Sequence, residues 1–206
     1  AGSASAAGLV ITALGKDGQK LLSTGRSVKQ AAYDVQHQAW SKSDVPARES
    51  RLALAKSLSA TPALGEVAET ARLQLAVTGS AQMGLSADSA SPPYTPLVIR
   101  SLAVAALAAL GYAEDASLAQ VMPLLADPTA ATCLNMSKLN LYQCLAVSKP
   151  HYEDVFCLGQ HILMDTGHCI MKGAGVTDPI DVKMAEAAAL TPVATETKVR
   201  PRAKKR

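Results

Sequence analysis

The thirteen residues from Cys157 to Cys169, CLGQHILMDTGHC, bring two cysteines, two histidines and an Asp-Thr-Gly triplet together. Three chemistries use such residues. A metal centre would take Cys157, His161, His168 and Cys169 as ligands, with His151 nearby; Cys157 and His161 are four apart and share a helical face. Structural zinc sites favour tight Cys-x₂₋₄-Cys pairs, however, and the chain has none. It also lacks the Cys-x-x-Cys-His signature of covalent haem. An aspartic protease would use Asp165-Thr166-Gly167, but that chemistry needs two carboxylates sharing a proton, each on a loop between strands. Here the triplet occurs once, behind a segment with helical spacing at Phe156, His161 and Met164. The third chemistry is disulfide formation, and it draws in the two remaining cysteines, Cys133 and Cys144.

All four cysteines fall between residues 128 and 171. Cys133 and Cys144 lie eleven residues apart, within about 20° of one face of an ideal helix. A turn near Pro150 folds the next helix back, so nested pairing is expected: Cys144 with Cys157, Cys133 with Cys169. Sequential pairing would join residues three turns apart on one helix, about 16 Å by rise, which no disulfide spans. Crossed pairing would be roughly a dozen residues out of register. One misfit remains, because Cys157 and Cys169 are about 120° apart on an ideal helix; the reading requires Gly167 to break the helix before Cys169. The layout resembles the paired-cysteine helical hairpins of small exported or intermembrane-space proteins, whose motif spacing is stricter.

The elements that must position these residues announce themselves by a repeated device. A Thr or Asp precedes a Pro at Thr61-Pro62, Thr95-Pro96, Asp127-Pro128 and Asp178-Pro179. The side chain can cap first-turn amides, and Pro at the first helical position loses no hydrogen bond. Helices are expected over RSVKQAAYDVQHQAW, PARESRLALAKSLSA and a stripe at Leu64, Val67, Ala71 and Leu75 that leaves Glu66 and Glu69 exposed. The expected helix from Pro96 to Leu110 is apolar almost all round and should be central and buried. Gly111 ends it, Asp115 can cap its successor, and Pro123 stops or kinks that one. The expected fold is all-α: antiparallel helical hairpins in a bundle or short α-solenoid, with a disulfide-stapled third hairpin over 128–171. Its divisions are an N-terminal extension (1–25), a hairpin region (26–79), a Ser/Ala/Pro-rich linker (80–95), a second helical region (96–190) and a basic tail (191–206).

TPLVIRSLAVAALAALGYAEDASLAQVMPLLADPTA resembles a HEAT-type helical repeat over residues 96–126: an Ala/Leu-rich helix, a short turn, and a Leu-rich helix ending in Asp-Pro. The segment from Pro46 to Val77 matches it only in outline. The resemblance implies an α-solenoid that binds other proteins along an extended surface.

Composition limits the functional classes. The chain of 206 residues is 49% hydrophobic but only 3% aromatic, an Ala/Leu balance suited to packed helices rather than sheets. Its net charge of +3 hides an asymmetry, because Lys198, Arg200, Arg202, Lys204, Lys205 and Arg206 hold six of the twenty bases. Without them, 14 basic residues face 17 acidic ones, a charge of −3. The tail is read as a contact to an anionic surface or polymer, with a solvated, solubilising end as the plain alternative. The acidic body and the lack of interleaved aromatics argue against nucleic acid.

The start AGSASAA, without Met, resembles the region around a signal-peptidase site, so an exported protein (periplasmic, cell-surface or extracellular) with its signal peptide removed is expected. The longest apolar run, Leu102 to Leu110, is too short to span a bilayer. Gly-x-Ser-x-Gly, phosphate-loop and dinucleotide motifs are absent, and GKDGQK lacks the Walker spacing. His37 beside Trp40 reads as a packed or surface pair. The functional expectation is a non-catalytic structural subunit or interaction module, without cofactor, that works with a protein partner or by self-assembly. The alternative is a metal-dependent binder or enzyme using Cys157, His161, His168 and Cys169.

Overall fold

In the computed structural model, residues 2–60, 71, 75, 86–112, 115–180 and 182–183 are described. Every regular element among them is helical: α1 (Gly2–Val35), α2 (Arg48–Ala60), α3 (Pro96–Ala109), α4 (Leu118–Leu125), α5 (Pro128–Val147), α6 (His151–Cys157), a π-helical segment (Leu158–Met164) and α7 (Asp165–Ala174). Short 3₁₀ turns at Ala39–Lys42 and Asp115–Ser117 join them. Residues Ala1–Val176 form one unit, and Thr177–Arg206 form another.

Three of the four Thr/Asp-Pro devices lie among the described residues, and all three start helical turns. Thr95 accepts from the Val98 amide at the start of α3. Asp127 Oδ1 accepts from the amides of Thr129 and Ala130 at the start of α5. Asp178 Oδ1 takes the Ile180 amide, and residues 179–180 are helical. The Thr61-Pro62 start, the stripe behind it with Glu66 and Glu69, and the tail beyond 183 fall outside the described residues.

The organising helix is α1. The segment read as an N-terminal extension is helical from Gly2, and the 34 residues of α1 form one rod about 50 Å long. Its N-terminal end is pinned by residues 86–90: the Ala90 amide donates to the Ala4 carbonyl, and the Ser5 and Ser89 hydroxyls meet at 3.2 Å. Ala4, Gly8, Ile11, Gly15, Gly18, Leu22, Gly25, Lys29 and Ala32 follow a 4–3 spacing that keeps one seam facing a partner helix. Four of these positions are glycine.

Against that seam α1 packs the π segment, α6 and α7. A Cβ at Gly18 would sit 3.1 Å from the Gly167 carbonyl, and one at Gly167 would sit 2.8 Å from the Gly18 carbonyl. One turn-pair along, a Cβ at Gly25 would meet the Gly159 carbonyl at 2.8 Å, and one at Gly159 would meet the Gly25 carbonyl at 3.0 Å. The partner's numbers fall as those of α1 rise, so the two run antiparallel with backbones nearly in contact. On α5, the buried Leu141 and Leu145 join Cys157 in a small cluster against which Leu52 and Ala55 of α2 pack.

Arginines hold helix C-terminal ends, where carbonyls lack intrahelical partners and the dipole is negative. Arg48 donates to the Ala146 carbonyl and Arg51 to that of Leu145, both in the last turn of α5. Arg51 also pairs with Asp154, whose other oxygen accepts from Ser148 Oγ at 2.7 Å. Burial, and then the neighbouring Arg48, holds the Arg51 guanidinium below its ordinary value. Arg100 reaches the carbonyls of Pro123 and Ala126 at the end of α4.

Three expectations need revision. Val98 is the one fully buried residue of α3, because that helix lies along the outer side of α1 and α7 rather than between layers. The helix over 26–40 stops at Val35, and Trp40 sits exposed in a 3₁₀ turn. The position before α4 is Ser117, which makes no side-chain cap, so Asp115 is not at the cap position.

The seam makes a signed prediction within one helix. A Cβ at Gly15 meets only Val176 methyls at 3.5 Å or more, so Gly15→Ala should stabilise by up to about 1 kcal/mol through helix propensity. Gly25→Ala should instead destabilise by about 1–3 kcal/mol through overpacking against backbone. Urea unfolding midpoints of the two variants check the opposite signs.

Candidate functional site: the disulfide-bonded 128–174 region

The cysteines pair as Cys133–Cys169 and Cys144–Cys157, each with Cα atoms 5.7 Å apart, and no described cysteine is free. The pairs are nested about the turn at residues 148–150. That turn is anchored from outside: the Val45 amide donates to the Lys149 carbonyl at 2.9 Å, and the His151 amide donates to that of Ser43 at 3.3 Å.

Gly167 does not break the helix. It is the third residue of α7, buried against Gly18 and Leu22. The 120° misfit is resolved upstream, where seven residues, Leu158–Met164, wind as a π-helix. An i→i+5 helix holds more than four residues per turn, so each advances by less than about 90°. Over seven residues the lag behind an α-helix reaches roughly 70° or more, which brings Cys169 back toward the face of Cys157.

The wider turn also assembles a chain of polar groups. Lys29 Nζ donates to Gln160 Oε1 at 2.7 Å, Gln160 Nε2 donates to Asp165 Oδ1 at 2.9 Å, and His161 Nδ1 lies 2.8 Å from Asp165 Oδ2. Gln160 and Asp165 are five apart, the repeat that an i→i+5 turn stacks. Lys29 also stands 5.1 Å from the centre of the Phe156 ring, which Tyr33 meets edge-on at 5.9 Å. Nothing in the sequence links Lys29 to Gln160, 131 positions away; the heptad spacing of α1 was the one available signal.

Of the three chemistries, the geometry shows disulfide formation. Cys157 and Cys169 are disulfide-bonded to different partners and offer no thiolate, the form a metal binds. His161 is engaged by Asp165, and no group of three or more His, Cys, Asp or Glu among the described residues is placed to hold a metal. Asp165-Thr166-Gly167 opens α7 rather than a loop between strands. Ser137 Oγ donates at 2.5 Å to the His161 carbonyl, not to its ring. The segment contributes one cysteine to each of the two disulfides; the polar chain braces the π segment against α1.

Compared with protein-family models, curated proteins and solved structures, the chain matches none. The functional reading therefore rests on geometry.

Loop-closure entropy sets the expected effects of the staples. The Cys133–Cys169 bond closes a separation of 36 residues and Cys144–Cys157 one of 13, worth about 4 and about 3 kcal/mol respectively. Replacing each pair by Ala should lower stability by those amounts, in that order, in denaturant unfolding. Asp165→Ala, which strands both Gln160 and His161, should cost about 1–3 kcal/mol in the same measurement.

Proposed function

We propose that the chain is a non-catalytic, exported helical protein acting as a structural subunit or protein-interaction module of a cell envelope or extracellular assembly. The α3–α4 hairpin carries this reading. A helix apolar on all sides belongs in an interior, yet Ile99 is 53% exposed, Leu110 73%, Met122 53% and Leu125 55%. Ile99, Ala106 and Leu110 recur at i, i+7 and i+11, one outward stripe. Between Pro96 and Leu125 the only charged residues are Arg100, Glu114 and Asp115, and Arg100 is engaged at the end of α4. Exposed apolar area of this kind marks an interaction surface, for a partner protein or a further copy of the chain.

Two disulfides support an oxidising compartment, since cytosolic thiols are kept reduced. No helix among the described residues is long and apolar enough to cross a membrane. The bases from Lys198 to Arg206 give the protein its electrostatic contact to an anionic surface or polymer, and the acidic remainder argues against nucleic acid.

Ile99→Asp combined with Leu110→Asp should leave the unfolding midpoint nearly unchanged while dispersing the native assembly in sedimentation analysis. Identical sedimentation of variant and parent would defeat the surface assignment. In acid-quenched and then denatured whole-cell extracts, a maleimide-polymer reagent should add nothing to the protein until a reductant is supplied; four adducts without reductant would defeat export. Deleting residues 198–206 changes the charge from +3 to −3 and should abolish co-sedimentation with anionic vesicles at low salt. In the intact protein that association should weaken as ionic strength rises, because exposed charges are screened.

A further inference from the structure

A groove of about 690 Å³ opens where the starts of α3 and α5 meet the last turn of α7. Its lining is mostly apolar: Leu97, Pro128, Ala130, Met136 and the Cys133–Cys169 disulfide supply it, and Thr129, Asp127 and Lys172 are among its polar members. The volume lies within the range of small-molecule sites, which join apolar walls to a few orienting polar groups.

The polar groups select the ligand class. Two helix starts border the groove, an arrangement that often binds phosphate through free amides. Here most of those amides are taken: Asp127 holds those of Thr129 and Ala130, Thr95 holds that of Val98, and Pro96 and Pro128 have no N–H. The Asp127 carboxylate repels any anion, and a multiply charged one more strongly than a singly charged one. Lys172 is the only cation in the lining, and its ammonium has no ion-pair partner among the described residues. One unpaired positive charge beside an apolar wall is complementary to one negative charge on an apolar chain.

We propose that this groove binds a long-chain fatty acid, its chain against Leu97, Met136 and the Cys133–Cys169 disulfide and its carboxylate on Lys172. The site is separate from the outward stripe of α3, so it stands or falls independently of the interaction reading.

The test uses the full chain and displacement of a fluorescent fatty acid, cis-parinaric acid, by palmitate or by hexadecanol below their aggregation limits. Palmitate should displace the probe saturably at one site. Lys172→Ala should weaken palmitate roughly three- to five-fold, the scale of an exposed charge pair, and leave hexadecanol unchanged; Lys172→Arg should restore palmitate. Met136→Trp fills the groove from a position 52% exposed in the native fold, and it should remove binding of both ligands without shifting the melting temperature. Absence of saturable binding, palmitate affinity indifferent to Lys172→Ala, or binding that survives Met136→Trp would each overturn the assignment.

Discussion

The backbones of α1 and the 158–174 segment touch at two glycine pairs, Gly18 with Gly167 and Gly25 with Gly159, and the rest of the fold is arranged around that closeness. Any side chain at those four positions would push the helices apart. With the axes this near, Lys29 reaches Gln160 and Leu22 is fully buried. The π segment belongs to the same constraint: it lets Gly159 and Gly167, eight apart, both face α1 while Cys157 and Cys169 face α5.

What could be read from the residues divides along physical lines. Starts of α3 and α5 were legible because Thr95 and Asp127 cap by local chemistry that needs no tertiary partner. Nested cysteine pairing was legible because helix rise and disulfide reach leave an antiparallel hairpin little choice. The first 25 residues were not, since Gly8, Gly15, Gly18 and Gly25 oppose helix formation when taken singly. Their 4–3 spacing has meaning only once a second glycine-bearing helix is in place. Gly167 was misread for a related reason: glycine punctuates a turn or permits close approach, and the second use depends on a neighbour 149 positions away. The apolar character of α3 was read correctly, but its burial was not. Composition states that such a surface must be covered and is silent on what covers it.

Among the described residues the interior is thin. Leu22, Val98 and Cys157 are the largest apolar side chains entirely out of solvent. Seam contacts, arginine caps on helix ends and covalent links take over work that larger cores leave to Leu and Phe, a division seen in scaffolds short of buried apolar area. Apolar side chains withheld from the interior are then free for the α3–α4 surface and for the groove beside the outer disulfide.

Nesting has a topological effect distinct from its contribution to stability. The Ser148–Pro150 turn lies inside both covalent rings, so a peptide bond cleaved there leaves two chains still joined at two points. A single cut anywhere from Cys133 to Cys169 leaves at least one bridge across the break. Where a protease attacks that exposed turn, the hairpin can be nicked and remain one molecule with α1 still seated on its glycine seam. Helix continuity is expendable in this region; connectivity is held in duplicate.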